Sequence, residues 1–511
     1  MSGVAEWVGT LSSSRPVAGG ALPESDVMTR VVRAGSWSLA LRGATRGLGL
    51  ARNIVLARLL APSDMGLFGT ALVVLSFLER FSNTGIQAAL VQMKDDPRPY
   101  LNTAWTVSLL RGFALAGALV AGGGEIARFL GAPEAGALVR LLGLSILMRG
   151  MENTGVIMLQ RDLEARKQFL YRFGGLIVDL GVSVVLALIL KSAWALVWGL
   201  LAGNVVTLIV SYLVHPYRPT LRLDRSQVRQ LGRYGRWVFL ANILFFLAYR
   251  GDNAVVAKFF GPEALGLYVL AYVLAEAATV EISLVLGSVT FPLYARLQHE
   301  RGRLVAAHTV VSDLVASVAL PAAVLLSLLA QPVVGVILGP RWVGAAALLP
   351  PLAVAGGLRA IVTNGRAVCS GVGRPERAFL VTLVGVGVTY AVMLPLIRLF
   401  DLRGVGLAVL SGSASMVVVY ARQVKRTLGI PTAELIRAVV PGIVLAGAVA
   451  LPVLVVRHVA VGPAASLALV GVLGSGAYVA ASVLLWRGLG AGPLRLLSLV
   501  RHGFTGLRRA V

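Results

Sequence analysis

The stretch ARLLAPSDMGLF, residues 57–68, returns two hundred residues later as AKFFGPEALGLY, residues 257–268. Ala57, Pro62, Gly66 and Leu67 recur as Ala257, Pro262, Gly266 and Leu267, while Arg58 becomes Lys258 and Phe68 becomes Tyr268. Extended without a gap from Gly35/Gly235 to Val73/Val273, the alignment holds ten identities in 39 positions, Trp37/Trp237 and Asn53/Asn253 among them. Leu, Val and Ala inflate identity between any two apolar segments. Trp, Asn, Pro and a Gly-Leu pair do not, so the spacing reads as an internal duplication.

The surroundings of the repeat are strongly apolar. The 511 residues are 57% hydrophobic and 14% charged, with a mean hydropathy of +0.81, far outside the usual soluble range. Runs of about twenty apolar residues, each long enough to cross a bilayer as a helix, predict an all-α integral membrane protein. Fourteen spans are expected, near 36–60, 67–92, 100–122, 135–158, 168–190, 193–214, 235–257, 264–290, 307–329, 344–366, 378–398, 404–421, 437–456 and 463–486. The piece VVGVILGPRW, 333–342, is too short to cross and is expected to cap a span or lie in the interface.

Six spans separate the two copies of the repeat, an even number, so both copies run in the same direction through the membrane. That is the arrangement of parallel-repeat transporters. The expected organisation is a Gly/Ser/Pro-rich disordered tail (1–34), a first lobe (35–214), a basic linker (215–234) and a second lobe (235–430). Two further spans (431–487) and a basic amphipathic tail (488–511) complete it. Residues 1–34 lack a continuous apolar core and do not read as a signal peptide.

The net charge of +24 suggests nucleic acid until the charges are placed. Of 47 Lys and Arg, eight fall in loops on one side: Arg58, Arg128, Lys191, Lys258, Arg341, Arg398, Arg403 and Arg457. Ten more fall within or at the ends of spans, which leaves 29 on the side of the termini. By the positive-inside rule both termini are cytoplasmic, and no polyanion partner is required. The opposite loops are too short to house a catalytic domain. The five histidines lack metal-ligand spacing, no phosphate-cradling loop or nucleophile motif is present, and the single Cys369 excludes an intrachain disulfide. No cofactor or metal is expected, and no enzymatic activity.

The ten arginines within or bordering spans are 42, 46, 52, 80, 111, 140, 149, 172, 250 and 359. Each costs about 2.5–3.5 kcal/mol at mid-bilayer on insertion scales, so the deep ones must face protein or water. Arg111, Arg140 and Arg172 are expected to snorkel from span ends. Arg42, Arg46, Gly49 and Asn53 form one stripe at helical spacing, and Ser76, Arg80, Asn83 and Gln87 form a second. Arg149, Glu152 and Asn153 fall within one turn; Asn242, Tyr249 and Asn253 mark the second lobe, with Arg250 and Asp252 at the same depth and Glu276 on the next span. The alternative for each charge is an ion pair gluing helices, such as Arg149 with Glu152, Arg80 with Glu79 or Asp252 with Arg250. For the set, cations outnumber acids, and a cationic pocket beside uncharged spans 11–14 suits an amphiphile with a phosphate-bearing head. Arg42, Arg46, Arg80, Arg149, Arg250, Asn53 and Asn253 are therefore the candidate substrate-binding residues, and Asp252 and Glu276 the candidate ion-coupling acids.

NIVLARLLAPSDMGLFGTALVVLSFLERFSNTGIQAALVQ (53–92), LNTAWTVSLLRG (101–112), LQRDLEARKQFLYR (159–172) and GDNAVVAKFFGPEALGLYVLAY (251–272) resemble the polysaccharide transporter family. These are the Wzx-type flippases of the multidrug/oligosaccharidyl-lipid/polysaccharide exporter superfamily. The resemblance covers about residues 30 to 430. It implies a two-lobe fold in the bacterial cytoplasmic membrane that flips undecaprenyl-diphosphate-linked oligosaccharide to the outer leaflet by alternating access. It also implies a cationic cavity, coupling to H⁺ or Na⁺, and membrane lipids and polysaccharide polymerase or assembly proteins as partners. A multidrug exporter of the same superfamily would favour an acidic cavity for organic cations. A membrane glycosyltransferase or polymerase would carry a large external loop.

Overall fold

The computed structural model describes residues 43–82, 85–93, 96–162, 164–456, 462–489 and 491–493, and among them there is no β-strand. The first half comprises α1 (43–59), α2 (Pro62–Phe81), α3 (Ile86–Gln92), α4 (Leu101–Phe129), α5 (Gly136–Met151), α6 (Val156–Arg161), α7 (Ala165–Leu190) and α8 (Trp194–Val214). The second comprises α9 (Arg225–Tyr249), α10 (Gly251–Arg296), α11 (Arg301–Leu328), α12 (Ala330–Ile337), α13 (Leu349–Gly371), α14 (Pro375–Phe400) and α15 (Leu402–Leu428). α16 (Thr432–Val456) and α17 (Pro463–Leu489) follow. The expected tails, 1–34 and most of 488–511, lie outside the described residues.

Nine helices among the described residues are long and apolar enough to cross a membrane, and the bent pair Pro340–Ala347 with α13, broken by 57°, would be a tenth. The expectation of fourteen is not reached on length and apolarity alone. α1, α2, α5 and α9 are helical but too short or too charged to qualify, and they carry Arg46, Arg80 and Arg149. Three expected spans are also broken. The second divides after Phe81, where Gly85 (φ 66) restarts the chain; the fourth divides after Met151; and the seventh divides at Arg250 (φ −143, ψ −15). Spans 11–14 are not lipid-facing throughout, since α15 is half-buried against α13 and α14.

The repeated turn seals one end of the molecule. Pro62 opens α2 at its first position, where a missing N–H is harmless, after Ala61 in extended backbone. The matching Gly261 turns at φ 78, a left-handed conformation that glycine adopts without strain. The two turns then cross. A Cβ added at Gly66 would lie 1.6 Å from the Pro262 carbonyl oxygen, and one added at Gly266 would lie 2.0 Å from the Pro62 carbonyl oxygen. Each glycine thus admits the backbone of the other copy, a reciprocal contact of the kind a two-fold axis generates.

The repeated basic residues behave in the same way. Arg58 donates to the Val336 and Ile337 carbonyls at the end of α12, and Lys258 donates to the Phe129 carbonyl at the end of α4. In each case a cation from one half caps a helix C-terminus of the other, where carbonyls lack partners and the dipole is negative. Trp342, fully buried, donates its indole N–H to the Ala57 carbonyl at 2.7 Å. The stretch 333–342 therefore caps the first half's turn, as its length suggested.

Candidate functional site

Away from the seal, the first half is hollow. α2, α4, α5, α7 and α8 enclose a cavity of about 640 Å³ whose wall includes Glu79, Arg111, Arg149, Glu152, Tyr171, Arg172 and Asp179. Gln87, Gln160, Gln168 and Asn204 add amide groups to the wall. Glu79, Arg149 and Glu152 sit toward the helix ends away from Gly66, with Asp179 and Asn204 mid-way along α7 and α8, so the cavity opens away from the seal.

The acids of the wall are engaged. Glu79 pairs with Arg149 at 3.1 Å, Asp179 with Arg52 at 3.0 Å, and Glu152 accepts the Tyr171 hydroxyl. The pairings anticipated within single helices, Arg149–Glu152 and Arg80–Glu79, do not form. α5 ends at Met151 and Glu152 leaves in extended backbone (ψ 145), while consecutive residues of a helix do not face each other. Arg80 instead lies over the Phe245 ring, 4.3 Å from its centroid.

A second group lies between the halves. The half-exposed Arg46 pairs with Glu276 at 3.5 Å. Arg250, exposed at the break between α9 and α10, forms no ion pair among the described residues and is an electrostatic neighbour of both Glu276 and Arg80. Behind it, Asp252 is 2% exposed and accepts from the Tyr268 hydroxyl at 2.7 Å, not from Arg250. Asn253 is buried, and Asn53 is half-buried. Arg42 lies outside the described residues. The arginines expected to form one ring thus fall into two sets, Arg149 in the first-half cavity and Arg46 with Arg250 around Glu276, with Glu79 and Arg80 of α2 between them.

Two arginines expected to snorkel line the cavity instead. Arg111 is ten residues into α4, about 15 Å along the axis. Its only hydrogen bond among the described residues is to the Ser82 carbonyl at 3.2 Å, and its Nε is buried without a partner. Arg172 also reaches the wall. Sequence reasoning counted Arg359 among the ten span arginines but gave it no role; it lies mid-way along α13, which also carries Arg366. Arg359 is 8% exposed, donates to Ser413 Oγ, the Tyr272 hydroxyl and the Ala248 carbonyl, and faces the Tyr249 and Tyr272 rings. The available signal was its depth, since an arginine mid-way along an apolar stretch must be satisfied by other helices.

Residues 55–347 match the polysaccharide biosynthesis protein family. The succinoglycan biosynthesis transport protein ExoT of Rhizobium meliloti (strain 1021) is 27% identical over 64% of this chain and 66% of its own length. The lipopolysaccharide biosynthesis protein WzxC of Escherichia coli (strain K12) is 24% identical over 65% of this chain and 68% of its own. The match thus spans about two thirds of each relative. In fold, the lipid II flippase MurJ in an inward closed conformation superposes with a TM-score of 0.72 at 14% identity, over 89% of this chain and 99% of that one. An inward-facing multidrug resistance MATE transporter gives 0.60 at 19% identity, over 76% of this chain and 94% of that one. An all-helical membrane protein with the MurJ and MATE fold, this chain belongs to the polysaccharide biosynthesis protein family.

Proposed function

We propose that the protein is a flippase, not an enzyme, carrying undecaprenyl-diphosphate-linked oligosaccharide from the inner to the outer leaflet of the bacterial cytoplasmic membrane by alternating access. The observation that carries this reading is the set of exposed arginines within the helical body, Arg149 in the amide-lined cavity of the first half and Arg46 with Arg250 around Glu276 between the halves. Guanidinium stays charged when desolvated and grips phosphate oxygens with two parallel hydrogen bonds. Organic cations, the cargo of a multidrug exporter, would be repelled by the same surface. The Lys/Arg asymmetry supports cytoplasmic termini; on this reading the hollow end faces the cytoplasm and the sealed end faces outward.

In proteoliposomes containing a fluorescent undecaprenyl-diphosphate oligosaccharide, Arg46→Ala and Arg149→Ala should each reduce flipping about ten- to a hundredfold, the loss of one charge-assisted contact. Lys replacements should be intermediate. Full flipping by both Ala variants at normal abundance would refute the arginine reading.

The same assay addresses coupling to H⁺ or Na⁺. Glu276 is the stronger candidate, because it faces Arg46 and Arg250 between the halves, where conformational change would alter its partners, whereas Asp252 is sealed against Tyr268. Glu276→Gln should abolish gradient dependence and Asp252→Asn should reduce it less. Unaltered dependence in both variants removes them as coupling sites.

A further inference from the structure

Arg111 stands at the junction of two differently lined spaces. On one side is the polar cavity of about 640 Å³, which it lines with Ser108. On the other is a groove of about 500 Å³ between α4 and the start of α9, formed by Val107, Leu110, Ala114, Leu223 and Val228. Val107, Leu110, Arg111 and Ala114 fall at helical spacing on one face of α4, and Ser108 and Arg111 fall on the adjoining face, so one side chain borders both. Leu110 and Leu223 are more than half exposed, as groove walls open to lipid would be.

The groove is held in place from the other wall. The segment 215–224, without regular secondary structure, is strapped onto α4. Its Thr220 and Arg222 N–H groups donate to Asn102 and Thr106, and the Asp224 N–H donates to Thr103. Asp224 then caps α9 by accepting from the Ser226 N–H at 2.8 Å. The basic linker is therefore a fixed wall of the groove.

We propose that this groove takes the polyprenyl chain of the lipid-linked substrate and that Arg111 binds the diphosphate joining chain to glycan. The inference rests on the flippase reading above and assigns a site within it. A lipid-linked oligosaccharide is ordered as apolar chain, diphosphate and polar glycan, and the protein presents apolar groove, guanidinium and amide-lined cavity in the same order. Arg111 is equipped for the role by its unpartnered Nε, since a buried donor left unsatisfied is stabilised by whatever acceptor arrives. Arg225 and Arg229 at the groove rim add positive charge on the side of the anionic lipid surface.

The test uses the purified full chain in nanodiscs and two probes, a long-chain polyprenyl-diphosphate oligosaccharide and the same diphosphate oligosaccharide without a polyprenyl chain. Ala114→Trp and Val228→Trp, which fill the groove from opposite walls, should weaken binding of the long-chain probe at least tenfold and leave the chain-free probe unchanged. Arg111→Ala should weaken both probes ten- to a hundredfold, and Arg111→Lys should recover part of that loss. Thermal unfolding of each variant, unchanged from the parent, shows that the fold is intact. Undiminished long-chain binding in both Trp variants would place the chain elsewhere, and undiminished binding in Arg111→Ala would remove the diphosphate from this position. If the parent protein binds neither probe, the flippase reading itself fails, an outcome distinct from either.

Discussion

Replacing Gly66 or Gly266 with alanine should leave a folded protein that no longer closes its sealed end and no longer transports. The added methyl would meet a backbone carbonyl, Pro262 O in one case and Pro62 O in the other, and a carbonyl inside a helical turn cannot step aside as a flexible side chain would. Overpacking of this kind costs about 1–3 kcal/mol and occasionally more, enough to shift an open–closed equilibrium roughly 5- to 150-fold. The reciprocal geometry predicts matching defects from either single variant. Because both glycines serve one contact, the double variant should fall short of the sum of the two. Spin labels at positions 63 and 263, in a Cys369→Ala background, would report the separation across the seal. Unchanged distances together with full transport in both single variants would show that the turns relax around the methyl.

Arg359→Ala should be the most destabilising substitution in the second half, by about 3–5 kcal/mol, the range for removing one member of a buried charge network. The guanidinium holds α13 to α15 through Ser413, to α10 through Tyr272 and to α9 through the Ala248 carbonyl. It is also the foremost cationic neighbour of the buried Asp252. Truncation leaves a cavity, three lost hydrogen bonds and an acid without its counter-charge. Arg359→Lys keeps the charge but not the planar fork, so it should lose less. A double-mutant cycle with Asp252→Asn, read by thermal unfolding in detergent, tests the cause. If Arg359 compensates Asp252, the asparagine should relieve part of the loss. Strict additivity would assign the cost to packing and hydrogen bonds alone.

These effects also bear on how transport would be organised. The seal joins the two halves through backbone contacts that admit almost no substituent, while away from it they meet through side chains: Arg46 pairs with Glu276, Arg80 lies over Phe245, and Tyr100 donates to Gln230. Packed backbone is either docked or separated, whereas side-chain contacts can exchange partners one at a time. A substrate phosphate arriving away from the seal would meet the half-exposed guanidinium of Arg46.

Composition and periodicity alone determined that the chain is helical and membrane-embedded, because a bilayer admits few other ways to satisfy the backbone. The duplication was legible in Pro62/Pro262 and Gly66/Gly266, residues that apolar background does not supply. Which arginines fall within apolar stretches could also be read, since a charge in an apolar run is conspicuous. Their partners could not. Arg149 meets Glu79 and not Glu152, Arg46 meets Glu276 across 230 residues, and Arg52 meets Asp179 across 127. Helical spacing specifies the face a side chain occupies, but the neighbour on that face is set by how helices cross, and by breaks such as those after Phe81, Met151 and Tyr249. Arg111 illustrates the limit most directly. Its position in the sequence marks a cation inside an expected span, 100–122, and only the packing of α4 against α9 and the linker puts it between a polar cavity and an apolar groove.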